Sequence, residues 1–274
     1  ELGKVAVKDV LTRSGLHGDQ VDHLVYGTVV HDTRAPNIAR EVGLAVLPKT
    51  VPAVTVSRAC ASANQAITDA VQLSEMGQAE VVIAGGSESL SHIPITVSAR
   101  LSKSLVSASK GKTVGQKLSA FRSVRPKDLL PVQPAIAEFT TGESMGQAAE
   151  RMAKLNGISR QAQDDWALRS HRLAAAGTED GRLTAEISVV YVPPSFSKVV
   201  ERDNGIRTDS PPEKLGMLPP VFDRKHGSVT AANASPLTDG ASAVVLINGE
   251  KARAEGREPV GYVRSWAWTA LDPA

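Results

Sequence analysis

The amino-acid sequence predicts an α/β fold built in layers, with parallel strands and an α-rich insertion. Strand-type and helix-type patterns alternate through residues 1–90, as is typical of parallel sheets covered by helices. From about residue 91 to 227 the alternation becomes irregular, and Pro, Ser, Lys and Arg become frequent. Core-type patterns resume at residues 228–274. The chain is therefore expected to form one α/β core, residues 1–90 with 228–274, and one inserted domain, residues 91–227.

The first ninety residues alternate between helix-type and strand-type stretches. Apolar residues at helical spacing mark the helices, and Gly or Pro marks their ends. Short runs rich in β-branched and apolar residues mark the strands. The predicted elements are a helix at 2–11 ended by Ser14-Gly15, a strand at 21–30, a helix at 37–47 ended by Pro48, a strand at 51–60, a helix from residue 61, and a buried strand at 81–84.

Two longer helices are expected inside the insertion. The second, residues 159–176, begins at Ser159, a favoured N-cap residue, and carries acidic residues early and basic residues late. After the insertion, the core is expected to resume at 228–231, with a strand at 241–247, a short helix around 251–253 and a strand from Pro259 to Trp266. The first of the two helices in the insertion, residues 144–155, has its apolar residues on one side: Met145, Ala148, Ala149, Met152 and Leu155.

The overall composition limits the classes of protein that fit. The chain carries 31 basic and 29 acidic residues, for a formal net charge of +2, which gives no support to nucleic-acid binding. Hydrophobic residues make up 42% of the chain and aromatic residues only 4%, so we expect a sizeable aliphatic core. No apolar run is long enough to span a bilayer. One cysteine cannot form an internal disulfide.

The only cysteine, Cys60, lies at a predicted turn from strand to helix. Residues 51–60 are β-branched and apolar after a Pro, whereas residues 61–67 are mostly small. A cysteine at such a turn meets the positive end of the helix dipole, which favours the thiolate and hence a nucleophile near neutral pH. The alternative is a small core residue, because free cysteines are usually buried and inert.

Several segments of the sequence resemble the thiolase family. The runs VPAVTVSRACASANQAI (51–67) and AEVVIAGGSES (79–89) are similar to the nucleophile region of thiolases. The runs GSVTAANAS (227–235) and TDGASA (238–243) are similar to the thiolase segment under the pantetheine arm of coenzyme A. The runs EFTTGESMG (138–146) and DNGIR (203–207) are most similar to the β subunit of the fatty-acid oxidation trifunctional complex and its bacterial relatives. The resemblance covers nearly the whole chain.

The resemblance implies a layered thiolase-like fold, in which the core is the N-terminal α/β half and residues 91–227 are the loop domain over the coenzyme A site. It also implies an acyltransferase that cleaves 3-ketoacyl-CoA by thiolysis in fatty-acid β-oxidation. Cys60 would be the nucleophile that carries the acyl group as a thioester, and its backbone N–H would be an oxyanion donor.

Two further site residues follow from the resemblance. Ser235 matches a serine that contacts pantetheine, although Pro236 stands where many thiolases have Gly. The alternative for Ser235 is an ordinary turn residue. Met145 matches a methionine that packs near the acyl and pantetheine groups, and its alternative is a plain core position.

The resemblance also predicts ligands and partners. Coenzyme A and acyl-CoA are expected as substrates, with neither a metal nor a resident cofactor implied. A homodimer or tetramer is expected, with a hydratase/dehydrogenase α subunit as a further partner, and with no nucleic acid and no transmembrane segment. The compartment would be the cytoplasm in a bacterium or the mitochondrial matrix in a eukaryote.

Some features of thiolases do not occur in this sequence. No histidine is followed by Pro, no Asn-Glu-Ala-Phe motif is present, and there is no second cysteine. We therefore expect a fragment, or the ordered part, of a longer polypeptide, with the C-terminal thiolase half outside this chain and little turnover by the chain alone. Two other functions stay open: a biosynthetic acetoacetyl-CoA thiolase, and a non-catalytic acyl-CoA-binding or assembly subunit.

Overall fold

The computed structural model describes residues 1–132, 137–209 and 211–272. The first part of the chain forms α1 (Leu2–Ser14), β1 (His23–Gly27), α2 (Ile38–Val46), β2 (Ala53–Val56), α3 (Ser62–Glu75) and β3 (Val81–Glu88). The insertion holds α4 (Ala99–Lys110), α5 (Val114–Ser119), α6 (Met145–Leu155), α7 (Arg160–Glu179), β4 (Val190–Val192), β5 (Lys198–Val200) and α8 (Pro212–Gly216). The chain then forms β6 (Gly240–Ile247) and α9 (Gly249–Ala254).

The core is a mixed sheet with the strand order β2-β1-β3-β6. β1 pairs in parallel with β2 and with β3, as the alternating pattern predicts. β6 pairs antiparallel to β3, from Val81 opposite Ile247 to Glu88 opposite Gly240, so the prediction of parallel strands is wrong for this one. The chain leaves the sheet at the carboxyl end of β3 and returns at the same end, which obliges β6 to run the other way.

Helices cover both faces of the sheet. Along β1, Leu24 and Tyr26 point to one face and Val25 to the other, because successive strand residues alternate in direction. Leu24 and Tyr26 pack with residues of α1 and α2 in one buried cluster, whereas Val25 packs with the small residues of α3 in a second cluster. The layered α/β arrangement expected from the sequence is thus present, with an aliphatic core.

The helix boundaries coincide with capping residues. α1 ends at Gly15, which adopts φ 64°, a left-handed conformation that suits glycine. Asn37 caps α2 by accepting the N–H of Arg40 at 3.0 Å. Ser144 and Ser159 cap α6 and α7 in the same way. The predicted helices at 2–11, 37–47, 144–155 and 159–176 are therefore confirmed, with small differences at their ends.

Two strand predictions need correction. The strand predicted from Pro259 to Trp266 is wrong: that stretch has no regular structure. Val260 and Tyr262 are exposed there, and within the described ranges its backbone pairs with no strand of the sheet, so the ladder bonds that stabilise a strand are not formed. The strand predicted at 51–60 ends at Val56. Residues 228–231 are irregular, although Val229 and Thr230 are buried.

Candidate active site

The candidate active site lies at the carboxyl edge of the sheet. The three parallel strands all end at this edge, and antiparallel β6 begins there. The turn after β2 carries Cys60, and the loop before β6 carries Ser235. In open α/β sheets, the loops beyond the carboxyl ends of the strands form the ligand crevice. The fold therefore brings two of the predicted site residues to one edge of the sheet.

Cys60 lies in a tight turn between β2 and α3. Ala59, directly before it, has a φ of 43°, a left-handed conformation that residues with a side chain rarely adopt. Ser62 fastens the turn: its Oγ accepts a hydrogen bond from the N–H of Arg58 at 2.8 Å and donates one to the carbonyl of Ala59 at 2.6 Å. Because Cys60 is exposed, the alternative of a buried, inert core cysteine is wrong.

The turn places Cys60 two residues before α3 begins at Ser62. The N–H groups of a first helical turn have no partner within the helix and form the positive end of its dipole. The N–H groups of Ala61 and Ser62 are used inside the turn, where they donate to the carbonyls of Arg58 at 3.0 Å and Ala59 at 3.2 Å. The place of Cys60 between strand and helix is thus as the sequence predicts, and its role as a nucleophile stays a prediction.

Two glycines allow α3 to rest directly on the sheet beneath this turn. A Cβ added to Gly27, the last residue of β1, would lie 2.8 Å from the carbonyl carbon of Ser62. A Cβ added to Gly86 of β3 would lie 2.9 Å from the carbonyl oxygen of Gly27 and 3.5 Å from the Cβ of Ala63. No side chain fits at Gly27 without moving backbone. The position of the Cys60 turn on the sheet is therefore set by close contact with the strands.

Ser235 lies in an exposed loop, residues 234–238, which leads to β6. Asn233 anchors the start of this loop. Its Oδ1 accepts the N–H of Thr230 at 2.7 Å, and its Nδ2 donates to Oδ1 of Asp164 at 2.8 Å. Asp164 is buried on α7 and is also paired with Arg160, whose Nε lies 2.8 Å away. Within the part of the chain that the structure describes, residues 234–238 form no hydrogen bond, so the Ser235 hydroxyl is open to a ligand.

Met145 is the first residue of α6 and is 55% exposed. The alternative of a plain core methionine is therefore wrong. The apolar side predicted for this helix faces outward, because Met152 and Leu155 are exposed as well. The side that is buried carries Glu150 and Ala153 instead.

Glu150 supports the candidate site and was missed by sequence reasoning. Its carboxylate accepts the N–H of Ser228 at 2.6 Å, the hydroxyl of Ser228 at 2.9 Å and the N–H of Val229 at 3.0 Å. Burial would raise the pKa of this carboxyl, but the N–H groups of Val229 and Ser228 outweigh that effect and hold the pKa below its ordinary value. Glu150 thereby ties α6, which begins with Met145, to the segment that leads to Ser235.

A second missed residue is Glu88, the last residue of β3. Its carboxylate accepts the N–H of Val29 at 2.7 Å and that of Val30 at 3.2 Å. These bonds fasten the loop after β1 to the carboxyl edge of the sheet. The signal available in the sequence was a glutamate at the end of a buried strand. A carboxylate in such a place needs hydrogen-bond donors from neighbouring segments.

The structure brings together supporting elements rather than the three predicted residues themselves. Among the described residues, no hydrogen bond directly joins Cys60, Met145 and Ser235. Cys60 and Ser235 share one edge of the sheet, and Met145 is linked to the Ser235 segment through Glu150. The roles predicted for these residues stay predictions.

The described ranges contain neither a cluster of metal-binding side chains nor a membrane-spanning helix. No group of three or more His, Cys, Asp or Glu side chains is arranged to hold a metal ion in residues 1–132, 137–209 and 211–272. Over the same ranges, none of the helices combines the length and the apolar character needed to cross a membrane.

Comparison with known proteins decides the family. Residues 1–250 match the family described as the thiolase N-terminal domain. The chain belongs to the thiolase family. The resemblance seen in the sequence motifs is thus confirmed, and so is the thiolase-like fold.

Similar proteins show how much of a thiolase this chain spans. It is 48% identical over 273 residues to a 3-ketoacyl-CoA thiolase of Yersinia enterocolitica. The aligned stretch covers 99% of this chain and 62% of that protein. It is 49% identical over 272 residues to a 3-ketoacyl-CoA thiolase of Pseudoalteromonas translucida, with the same coverage. This thiolase chain therefore spans 62% of the length of these relatives.

Solved structures agree with this fold. The chain superposes on a Bacillus anthracis acetyl-CoA acetyltransferase with a TM-score of 0.80 and 32% identity, covering 94% of this chain and 62% of the other. It superposes on the human mitochondrial 3-ketoacyl-CoA thiolase in complex with CoA with a TM-score of 0.76 and 29% identity, covering 94% of this chain and 61% of the other. Both enzymes share the layered α/β arrangement of this thiolase chain.

Proposed function

We propose that this chain is the nucleophile-bearing part of a 3-ketoacyl-CoA thiolase that acts in fatty-acid β-oxidation. The observation that carries the proposal is the exposed Cys60 in its strained turn before α3, at the carboxyl edge of the sheet. The 48% identity to 3-ketoacyl-CoA thiolases over the whole chain supports the same substrate class.

In the first half-reaction, the Cys60 thiolate attacks the 3-keto carbon of a 3-ketoacyl-CoA. The carbonyl electron pair moves to oxygen, where the backbone N–H of Cys60 stabilises the charge. When the carbonyl re-forms, the bond between C2 and C3 breaks, and its electron pair stays on C2. A general acid protonates C2, acetyl-CoA leaves, and the shortened acyl chain remains on Cys60 as a thioester.

In the second half-reaction, the thiol of a second coenzyme A loses its proton to a general base and attacks the thioester carbon. The new acyl-CoA forms, and Cys60 leaves as the thiolate. We assign the acid and base to residues outside this chain, because its six histidines lack the Gly-His-Pro context that the family uses. The nucleophile and part of the oxyanion site are what residues 1–274 contribute.

Coenzyme A enters this scheme as a substrate, and we propose no resident cofactor. Ser235 contacts the pantetheine arm through its open hydroxyl, and Met145 packs beside the acyl and pantetheine groups. Their exposure at the surface supports these roles, because a ligand needs accessible side chains. The bonds of Glu150 to Ser228 and Val229 hold both elements in one arrangement.

A biosynthetic acetoacetyl-CoA thiolase is the second candidate. The TM-score of 0.80 with an acetyl-CoA acetyltransferase favours it, whereas the identity to 3-ketoacyl-CoA thiolases favours the degradative enzyme. The ratio of activities on acetoacetyl-CoA and on a long-chain 3-ketoacyl-CoA distinguishes the two.

The assembly and compartment form part of the same proposal. We propose a homodimer or tetramer, because thiolases form contacts between subunits through the region around the nucleophile. A hydratase/dehydrogenase α subunit is proposed as a further partner. The bacterial sources of the similar thiolases support a cytoplasmic location.

The test is thiolysis by the full-length protein that contains these residues, with Cys60→Ser as the variant and Ser57→Ala as the matched control in the same turn. We expect Cys60→Ser to lower kcat at least about a thousandfold, since the nucleophile is lost, and Ser57→Ala to leave it nearly unchanged. Iodoacetamide should label Cys60 rapidly in the wild type. Normal thiolysis by Cys60→Ser would refute the assignment. An inactive wild type with a slow thiol would instead favour a non-catalytic acyl-CoA-binding or assembly subunit.

A further inference from the structure

Hydrogen bonds fix the loop that carries Ser235 at the residues on either side of it, Asn233 and Asp239. At its start, Asn233 is fixed by Thr230 and Asp164. In the described part of the chain, residues 234–238 add no hydrogen bond of their own. The second anchor is Asp239, directly before β6. The place of Ser235 is therefore decided by these two anchors, with Pro236 stiffening the loop between them.

The carboxylate of Asp239 accepts hydrogen bonds from the turn after the neighbouring strand β3 rather than from its own turn. Its Oδ1 accepts the N–H of Ser91 at 2.9 Å, and its Oδ2 accepts the Ser91 hydroxyl. The Oγ of Ser91 also lies 3.2 Å from Nδ1 of His92. A plain Asp-Gly turn would use the carboxylate for nearby backbone N–H groups, whereas these bonds span 148 positions of sequence. Both oxygens of Asp239 are thus committed to the turn after β3.

The charge on Asp239 suits this anchoring role. The hydroxyl of Ser91, its backbone N–H and that of Leu90 hold the pKa of the Asp239 carboxyl below its ordinary value, against a smaller effect of burial. The anchor is therefore a carboxylate at neutral pH, and hydrogen bonds to a charged acceptor are stronger than neutral ones.

We propose that Asp239, through Ser91, is a positioning residue that sets where Ser235 stands relative to Cys60 and so prepares the site for the pantetheine arm of coenzyme A. This inference rests on the proposed function. When the bond to Ser91 is absent, the loop spends only part of its time in the arrangement that binds, and the apparent affinity falls by that fraction. The nucleophile turn belongs to a different loop and stays intact.

The experiment compares wild type, Asp239→Ala, Ser91→Ala and Ser91→Thr in the full-length protein. Asp180→Ala, which removes an exposed carboxylate of an ion pair with Arg182 on another part of the surface, is the matched control. Because Asp239 and Ser91 are exposed, water competes for their bonds, and we expect KM for coenzyme A to rise about fivefold with kcat within about twofold. Ser91→Thr keeps the hydroxyl and should keep the KM of the wild type.

The outcomes separate positioning from a merely structural role. A raised KM with preserved kcat and an unchanged rate of iodoacetamide labelling at Cys60 supports the inference. An unchanged KM in Ser91→Ala, or a fall in kcat together with slower labelling, overturns it, and Ser91→Ala gives this answer even if Asp239→Ala does not fold. If the wild type shows no thiolysis, the proposed function fails. The dissociation constant of coenzyme A for the same proteins then decides the inference, a rise supporting it and no change overturning it.

Discussion

Replacing Gly27 with Ala tests whether the first turn of α3 must rest directly on the sheet. The new methyl group would lie 2.8 Å from the carbonyl carbon of Ser62 and 2.9 Å from its carbonyl oxygen. Both are backbone atoms, so no side-chain rotation relieves the contact. The helix has to shift away from β1, and the turn that holds Cys60 shifts with it.

The expected cost is about 2 kcal/mol in the free energy of unfolding, as is typical when a methyl group is forced into a closely packed place. With a denaturant slope of about 2 kcal/mol per M urea, the midpoint should fall by about 1 M. The assay is urea unfolding followed by circular dichroism, with the rate of iodoacetamide labelling at Cys60 as a second measurement. We expect that rate to change as well, because Cys60 precedes Ser62 by two residues.

Gly43→Ala is the matched control, because it adds the same methyl group where space is available. A Cβ at Gly43 would lie 3.5 Å from Cδ2 of Leu24 and 3.8 Å from the Cβ of Ala53, which are ordinary contacts. Gly43 lies inside α2, where Ala stabilises a helix by up to about 1 kcal/mol relative to Gly. The two substitutions should shift the urea midpoint in opposite directions. Equal shifts, or a stabilised Gly27→Ala, would refute the steric reasoning.

Three further predictions concern the turn, a cap and the buried carboxylate. Ala59→Gly should raise the free energy of unfolding by about 1 kcal/mol, because φ 43° costs glycine nothing; thermal unfolding measures this. Asn37→Ala should lower it by about 1–2 kcal/mol, since Asn37 caps α2 and also donates to the carbonyl of Ala53 at 3.1 Å; urea unfolding measures this. The lowered pKa of Glu150 means that its contribution to stability is complete above its ordinary value of 4.5 and is lost as the pH falls through the lower folded-state value. The stability advantage of wild type over Glu150→Gln should therefore shrink as the pH falls below 4.5.

Each of these has an outcome that would contradict it. A destabilised Ala59→Gly would mean that the methyl group of Ala59 matters more than its backbone strain. Asn37→Ser keeps a capping oxygen, so an equal loss in Asn37→Ser and Asn37→Ala would argue against capping as the cause. A difference between wild type and Glu150→Gln that does not change with pH would show that the carboxylate bonds carry no net stability.

Local signals made much of the fold predictable. The helices begin at Asn37, Ser144 and Ser159 because each side chain supplies an acceptor for an unpaired N–H. The Cys60 turn was also predictable, since a β-branched run and a run of small residues meet there. Such features depend on neighbours within a few positions, and these are visible in a single sequence.

Features that depend on distant partners were not predictable. The apolar side of α6 faces outward because three bonds from residues 228 and 229 draw Glu150 inward. The apolar stretch from Pro259 to Trp266 looks like a strand, but strand formation needs a neighbour, and none of the described strands pairs with it. The anchoring of Ser235 by Asp239 likewise depends on Ser91, which lies far away in sequence. In each case the decisive group comes from another part of the chain.

The last residue pair of the β3–β6 ladder joins the two ends of a long segment of the chain. Glu88 and Gly240 are opposite each other, so the chain leaves the sheet after Glu88 and returns to it at Gly240, at two adjacent points. A connection of two residues is enough to join antiparallel neighbours as a hairpin, and Cys60 lies outside the excursion. A change in the length of this segment therefore leaves intact the strands and the glycines, Gly27 and Gly86, on which the Cys60 turn rests.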